Sequence, residues 1–431
     1  MPAGSTRKLS GQSAPPAITP GRMAMHRLRS ILGRILAVTG ILLILTGLLW
    51  WAFLSKALVK YPTGLEYQVR TQGEVTRYSS LHGLEKLESP ETVEFQGLIS
   101  FASVDGEYTG SVAVVMEEVS AEPVPGLIPE ALNTYSFDRW DCRGTDTGNY
   151  SSGGIPVDRS GTVYPAFPLQ TPARSFEVYD NDTGSSFTVT FAGESERNGV
   201  RVLLFEGSFQ EHPVLDYRVE HRGLPAVTTF GEIKKELDAA GIPVDRMIRL
   251  AYPRLTAGEI EIISSFTDEF PVRLEYYLSR EWKAAVEPVS GTVVDVFEDR
   301  LEINVGADRR TFLPLLQVLA RRATDPAVSN YLTQMEQQAL LESGRLMDSY
   351  TRWSAESVEE RASYAQSRVM PIRILKNYII YALVLLGAAC LVSGLLLRDN
   401  RHHLGPVIER LVHRHQEGNG GQGGSPGGDI G

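Results

Sequence analysis

The chain has 431 residues, of which 42% are hydrophobic and 22% are charged, enough for one large domain or two of ordinary size. Its formal net charge of −10 excludes nucleic acid as an expected partner, because such a partner requires a basic protein face. Residues 1–54 hold six basic and no acidic side chains, whereas residues 55–372 hold 30 basic and 48 acidic ones. This asymmetry is typical of a membrane protein whose acidic middle lies on the far side of the bilayer.

Residues 1–34 are basic and rich in Ser, Pro and Ala, and we expect a disordered cytoplasmic tail there. Residues 35–54, ILAVTGILLILTGLLWWAFL, are uncharged and long enough to cross a bilayer core of about 30 Å, which predicts a transmembrane helix. The alternative is a cleaved signal peptide, with Ser55-Lys56-Ala57 as a weak cleavage site. The apolar stretch exceeds the ~7–15 residues of a signal peptide's apolar region, which favours a retained anchor.

Residues 55–305 predict a β-rich extracytoplasmic domain, because alternating or short apolar runs are separated there by turn residues. Further strands are expected at about 272–305, and the spacing of Thr229 and Glu232 predicts a capping box at the start of one helix. The expected strands before that helix are VEFQGLISFASV, GSVAVVMEEV, SFEVYD, SSFTVTFAG and GVRVLLFEGSF, with hairpin turns at Asp105-Gly106 and Asn198-Gly199.

Two Asp-Thr-Gly runs, at Asp146 and Asp182, resemble the catalytic dyad of pepsin-like proteases. They are only 36 residues apart, whereas each lobe of such an enzyme needs on the order of 100 residues to build a core. Two predicted strands flank Asp182, and Asp, Asn and Gly are the residues that a tight hairpin requires. We therefore predict a turn at Asp182, with a calcium site at Asp180 and Asp182 as the alternative.

No other pattern predicts a catalytic, cofactor-binding or metal site, and motifs such as H-E-x-x-H, C-x-x-C and the P-loop are missing from the sequence. Asp138, Asp141 and Asp146 surround Cys142, where a polar turn is a simpler interpretation than a metal site. Cys142 is not expected to pair with Cys390. The histidines of the acidic middle, His82, His212 and His221, are expected at ordinary surface or core positions. Basic residues surround His402, His403, His413 and His415, where we expect a solvated helix at the membrane surface, with a weak metal site as the alternative.

Residues 306–372 predict a helical stalk between the β domain and the second membrane segment. Leu332, Ala339, Leu346 and Trp353 recur every seven residues, which predicts one long helix over 326–368 with a narrow apolar seam. We expect this seam to pack against the β domain or against its copy in a second chain.

Residues 373–397 contain the uncharged run YIIYALVLLGAACLVSGLLL, which predicts a second transmembrane helix. Residues 398–431 are basic and then Gly-rich, and we expect a disordered cytoplasmic tail. The predicted protein therefore crosses the cell membrane twice, with both termini in the cytoplasm and residues 55–372 outside. Each membrane segment has two glycines seven residues apart, Gly40 with Gly47 and Gly387 with Gly394. Small residues on one face let membrane helices approach closely, either within one chain or between chains of a homo-oligomer.

The predicted fold class is α+β, a β-rich domain with a long helix held between two membrane helices. Three stretches resemble the PorA-type porin family of bacterial envelope proteins: YSFDRWDC at 135–142, GTVYPAFP at 161–168 and EYYLSREWKAAVEPVSGTVV at 275–294. Members of this family have one membrane helix at each end and a β-rich exported region. The resemblance implies a bacterial cell-envelope location and supplies no catalytic residues.

The family name implies a pore, but a membrane β-barrel has apolar strands of about 9–11 residues and no apolar helices. Two membrane helices alone cannot line a water-filled pore, so a channel would require several copies. We therefore expect a non-enzymatic module that binds or transfers a lipid or another envelope component, a layout that class B scavenger receptors share. An oligomeric channel is the alternative, and an envelope hydrolase is a third hypothesis for which no residues can be nominated.

Overall fold

The computed structural model describes residues 20–55, 59–62, 66–79, 86–104, 112–122, 131–145, 151–152, 155–239, 244–322, 326, 329–330 and 344–399. The chain divides into two compact units, a helical unit of Met1–Leu58 with Arg373–Gly431 and a β-rich unit of Val59–Ile372. This composition confirms the α+β class. The predicted turn at Asp105-Gly106 and most of both predicted tails lie outside the described residues.

The described residues form eight α-helices. They are α1 (Pro20–Leu49), α2 (Asp216–His221), α3 (Phe230–Ala239), α4 (Val244–Ala251), α5 (Ala257–Ser265), α6 (Arg309–Arg322), α7 (Ala355–Arg373) and α8 (Ile379–Asp399). The longest are α1 and α8 of the helical unit and α7, which lies almost entirely in the β-rich unit. Helix α1 begins at Pro20, so the part of the expected disordered tail that follows Pro20 is helical. Helix α3 follows the predicted capping pair, with the Glu232 amide donating to Thr229 Oγ1 over 3.4 Å.

Two helical stretches are long and apolar enough to cross a membrane, Arg27–Leu54 and Ala355–Arg398. Within the helical unit, α1 and α8 pack along each other. The four glycines predicted to allow a close approach lie at this contact: Gly40, Gly47, Gly387 and Gly394. A Cβ atom on Gly394 would lie 2.6 Å from the Gly33 carbonyl oxygen, so a side chain there would separate the helices. The glycine face of α1 is covered by α8 of the same chain. The glycine spacing therefore no longer supports the expected homo-oligomer.

A π-helical turn occurs in each membrane-length stretch, at Trp50–Leu54 and at Ile374–Tyr378. The Trp50 indole Nε1–H donates to the Leu375 carbonyl oxygen over 2.7 Å, which joins the two turns. Single-turn π-helices of this kind are rare in α-helices, and here both belong to one hydrogen-bonded contact.

The β-rich unit is built on one antiparallel sheet with the order β6-β5-β4-β3-β2-β1-β13-β12-β11-β9-β8-β7, and β10 pairs with β11. The strands are β1 (Glu66–Ser79), β2 (Lys86–Ser103), β3 (Val112–Glu122), β4 (Ala131–Asp138), β5 (Ser151–Ser152), β6 (Ile155–Pro156), β7 (Phe176–Asp180), β8 (Ser185–Arg197), β9 (Val200–Pro213), β10 (Val227–Thr229), β11 (Pro271–Val286), β12 (Val293–Ala307) and β13 (Gly344–Trp353). These bounds confirm the strands predicted between residues 93 and 305.

The sheet curves into a half barrel, and short bridges connect its two sides. Phe137 of β4 pairs with Gly144, Arg143 pairs with Val163, and Val163 pairs with Val178 of β7. The chain segments around 143 and 163 therefore lie between β4 and β7 and connect the two ends of the curved sheet.

Two large hydrophobic clusters stabilise the unit. The first lies on the inner face of the sheet and includes the buried residues Val358, Ala362 and Ala365 of α7. The second joins α3 to α6 with the ends of β11 and β12 through residues such as Val272 and Ala307. The sheet thus has a helix-covered region at one end and an inner face with space for a site.

The single helix predicted over 326–368 is wrong between Gly344 and Trp353, because these residues form strand β13. Strand β13 lies between β1 and β12, which pair with its backbone on both sides. Leu346 and Trp353 are buried in the sheet core rather than in a helical seam, while Leu332 and Ala339 lie outside the described residues. The β sheet therefore extends beyond the predicted boundary at 305, and the region 306–372 is not a continuous helical stalk.

Candidate functional site

A cavity of about 220 Å³ lies on the inner face of the curved sheet. Many of its lining residues are paired with one another across neighbouring strands, because side chains at directly paired positions point to the same face of a sheet. Gly97, Thr71 and Trp353 are one such row across β2, β1 and β13. Trp282 of β11 pairs with Asp299 of β12 in a second row.

Apolar side chains from six strands form one wall of the cavity. They are Phe95, Ile99, Val178, Phe187, Trp282, Val296, Leu301 and Trp353. Gly73 makes room for one of them, since a Cβ atom there would lie 2.9 Å from the Phe95 ring. This wall suits an apolar group, because contact with it removes apolar surface from water.

Glu117 of β3 is a buried carboxylate at the edge of this wall, and only 3% of its surface is exposed. Its Oε2 atom accepts hydrogen bonds from Asn133 Nδ2 over 2.9 Å and from the Tyr135 hydroxyl over 2.6 Å. Its Oε1 atom accepts from the Tyr164 hydroxyl over 2.8 Å. Burial, and to a smaller extent the negative charge of Glu117, raises the pKa of Tyr164 well above its ordinary value. The phenol therefore keeps its proton and acts as a hydrogen-bond donor.

Asp182 lies in the turn between β7 and β8, as predicted from its hairpin residues. The Arg222 guanidinium Nη2 lies 3.1 Å from Asp182 Oδ2, and Arg218 Nε lies 3.8 Å from Oδ1. Burial alone would raise the pKa of Asp182, but Arg222 and then Arg218 lower it below the ordinary value. Asp182 is therefore an ion-paired carboxylate rather than half of a protease dyad, and Asp146 lies outside the described residues.

Asp180 and Asp299 share the guanidinium of Arg280. Arg280 Nη1 donates to Asp180 Oδ2 over 2.6 Å, and Nε and Nη2 donate to the two Asp299 oxygens over 2.8 and 2.7 Å. Asp180 Oδ1 also accepts from the Thr183 amide and hydroxyl. Protein donors thus occupy the oxygens that the alternative calcium site would need. In the described part of the chain no group of three or more His, Cys, Asp and Glu side chains is placed to hold a metal ion.

We call these two sets together the arginine–aspartate cluster. It consists of Arg218, Arg222, Arg280, Asp180, Asp182 and Asp299. Arg280 also acts electrostatically on Asp182, so the two sets form one charge network. Five residues of the cluster and Glu117 form the polar part of the cavity lining, and Asp180 is fully buried beside Arg280.

The remaining residues that we considered from the sequence do not converge on this cavity. Asp138 Oδ1 accepts from the amides of Trp140 and Asp141, which is the predicted polar turn. Cys142 and Cys390 are both free. His212 Nδ1 lies 3.1 Å from the Ser185 hydroxyl, while His82 and the C-terminal histidines lie outside the described residues.

Sequence reasoning missed Glu117, Asn133, Arg218 and Arg280. Glu117 follows the apolar run VAVVM on β3, and its only local signal is its own register position. Its partners come from segments 16, 18 and 47 residues away. No spacing rule links such positions before the strand order is known.

A second, charged groove of about 780 Å³ is lined largely by residues of the opposite face, and it shares Arg280, Leu301 and Ser349 with the cavity. Glu74, Tyr350, Arg300 and Glu281 are successive register partners along it. The two faces of the central strands therefore differ strongly, with paired charges and aromatic rings inside and exposed charges outside.

The fold and the site define a membrane-associated envelope protein with a β-rich unit that contains a mixed polar and apolar cavity. The chain belongs to the Porin PorA family, whose sequence profile matches residues 32–396. This match confirms the resemblance found in the sequence, and family membership implies a non-enzymatic role. No curated protein matches the chain.

Proposed function

We propose that the β-rich unit binds an amphipathic molecule, a lipid or another envelope component, in the cavity on the inner face of its sheet. The observation that carries this proposal is the mixed lining, which combines aromatic and aliphatic side chains with Glu117 and five residues of the arginine–aspartate cluster. Ligand sites of this kind are mostly apolar, with a few polar groups that orient the ligand.

The size of the cavity restricts what enters. Its volume of about 220 Å³ exceeds the ~150 Å³ of an engineered cavity that holds benzene. A headgroup or the first part of an acyl chain fits this space, whereas a whole membrane lipid does not. The bound molecule therefore places one end in the cavity and leaves the rest outside.

We further propose a two-pass arrangement, with both termini in the cytoplasm and residues 55–372 outside the cell membrane. The charge asymmetry supports it, because basic segments remain on the cytoplasmic side. The exposed surface supports a water-facing β-rich unit. In its described residues the large exposed hydrophobic side chains are few and scattered: Leu132, Ile155, Val227, Tyr252 and Met370.

The binding proposal is tested with the full chain purified into nanodiscs of defined lipid. Amphiphiles that remain bound are quantified by native mass spectrometry. Leu301→Trp fills the cavity from β12 and is expected to reduce bound amphiphile at least tenfold. Leu132→Trp makes the same change at an exposed position of β4 and is the matched control.

Equal retention by the Leu301→Trp and Leu132→Trp proteins would contradict the proposal. Conductance across a planar bilayer is measured on the same preparations. A conductance that the Leu301→Trp change leaves intact, with no bound amphiphile in any preparation, would instead support the oligomeric channel.

A further inference from the structure

The charges at the cavity balance one another once the fully buried Asp180, which is paired with Arg280 and does not itself line the cavity, is included. Four carboxylates then stand against four arginines: Glu117, Asp180, Asp182 and Asp299 against Arg218, Arg222, Arg280 and Arg352. The arginine–aspartate cluster contains three guanidinium groups and three carboxylates, and each belongs to an ion pair between 2.6 and 3.8 Å long. Glu117 also lines the cavity but is not part of the cluster, and it accepts three hydrogen bonds from neutral donors. Arg352 is the remaining charged residue of the described lining, and it acts electrostatically on Asp295.

This balance matters because the cluster is withdrawn from water. Arg218 is 2% exposed and Asp180 is fully buried. An ionised ligand group that entered beside them would lose its hydration and would gain no unpaired counter-charge. The cavity therefore disfavours both an anionic and a cationic headgroup.

The cavity offers many sites for a neutral hydroxyl group. The hydroxyl-bearing residues Thr71, Ser349 and Thr351 line it on β1 and β13. Glu117 accepts three hydrogen bonds and Asp299 accepts two from Arg280, so each carboxylate can accept one more, because an ionised carboxylate has about four lone-pair sites. A hydroxyl group can donate to such an oxygen and accept from nearby N–H groups. The aromatic rings of the wall cover the apolar face of such a group.

We infer that the polar end of the ligand is a neutral group bearing hydroxyls, a polyol or a sugar, and not an ionised head. This inference rests on the proposed function, since it assigns the ligand class of the same cavity.

Three probes with the same short chain test the inference: hexyl glucoside, hexylammonium and hexanoate. Their binding to the full chain in nanodiscs is measured by titration calorimetry, with empty nanodiscs subtracted. Hexyl glucoside is expected to bind at least tenfold more tightly than either ionic probe. Tighter binding of hexylammonium or hexanoate overturns the inference and leaves the proposed function standing. Failure of all three probes to bind overturns both.

Removing one carboxylate of the cluster tests the charge balance directly. Asp182→Asn leaves three arginines facing two aspartates, so hexanoate affinity is expected to rise at least fivefold over the unsubstituted chain. Asp299→Asn creates the same surplus at a side chain that is 21% exposed, and it serves as the second variant should Asp182→Asn fail to fold. Glu281→Gln, on the outer face of β11, is the matched control. An unchanged hexanoate affinity in a folded Asp182→Asn or Asp299→Asn protein overturns the inference.

Discussion

At the residue scale, the buried carboxylates of the cavity differ in what neutralises them. Asp180 and Asp182 face guanidinium groups, whereas Glu117 is held by two phenols and an amide. Paired or fully hydrogen-bonded charges are the only ones that persist at such low exposure, because an unpaired buried charge is strongly unfavourable. The cavity therefore has a polar side that is rigid and electrically balanced.

Glu117→Ala is expected to destabilise the protein because it leaves the hydroxyls of Tyr135 and Tyr164 and the Asn133 amide without their acceptor. The cost is about 1–3 kcal/mol for each buried donor left unpaired. Thermal unfolding of the full chain in detergent measures it. Glu118→Ala alters the neighbouring carboxylate on the exposed face of β3 and is expected to change the unfolding temperature little. Equal unfolding temperatures for the two variants would contradict the role assigned to Glu117.

At the element scale, strand β13 shows how a heptad spacing can mislead. Leu346 and Trp353 are seven residues apart, a spacing that would place them on one face of a helix. The same spacing also fits an extended strand, in which seven positions cover about 23 Å at roughly 3.3 Å per residue. Strands β1 and β12 lie on either side of the segment GRLMDSYTRW, and its backbone pairs with both of them. The helix expected there begins only at Ala355.

Leu346→Ala is expected to cost about 2–5 kcal/mol of unfolding free energy, because it opens a cavity in the sheet core where Leu346 is fully buried. Chemical unfolding followed by near-ultraviolet circular dichroism measures the loss. Leu132→Ala removes the same atoms from a leucine of β4 that is 49% exposed, and it is expected to be close to neutral. A near-neutral Leu346→Ala protein would show that β13 is not part of the folded core.

At the scale of the whole molecule, the two units have different surfaces. Exposed large hydrophobic residues follow one another along α1, α8 and the π-helical turns beside them, from Leu28 to Leu54 and from Tyr378 to Leu396. Their spacing suits contact with lipid on all sides that the other helix does not cover. The described strands of the β-rich unit present alternating polar residues, such as Thr188 and Thr190 of β8, on their outer side.

The proposed two-pass topology predicts that protease added to intact cells cuts within residues 55–372 and spares both tails, because basic segments tend to stay on the cytoplasmic side. Epitope tags at each terminus and one in the segment 327–343 report the fragments on immunoblots. Permeabilised cells are the control, in which all three tags are digested. Loss of either terminal tag from intact cells would reject the two-pass topology.

The sequence alone determined the features that depend on local pattern. Twenty uncharged apolar residues predict a membrane-length helix wherever they occur, and alternating runs between turn residues predict strands. The hairpin at Asp182 and the capping pair before α3 could be predicted for the same reason, since their geometry is specified within a few residues. The family, too, could be recognised from three contiguous stretches of sequence.

The site was decided by tertiary structure. Arg280 and Asp180 are 100 residues apart in the chain, and Arg218 and Asn133 are 85 apart, yet both pairs are in hydrogen-bond contact. Such contacts depend on strand order and register, and a shift of one residue would turn every side chain of a strand to the other face. Strand β13 was decided in the same way, because its backbone pairs with β1 and β12 on both sides and its side chains Leu346, Met347 and Trp353 become buried there.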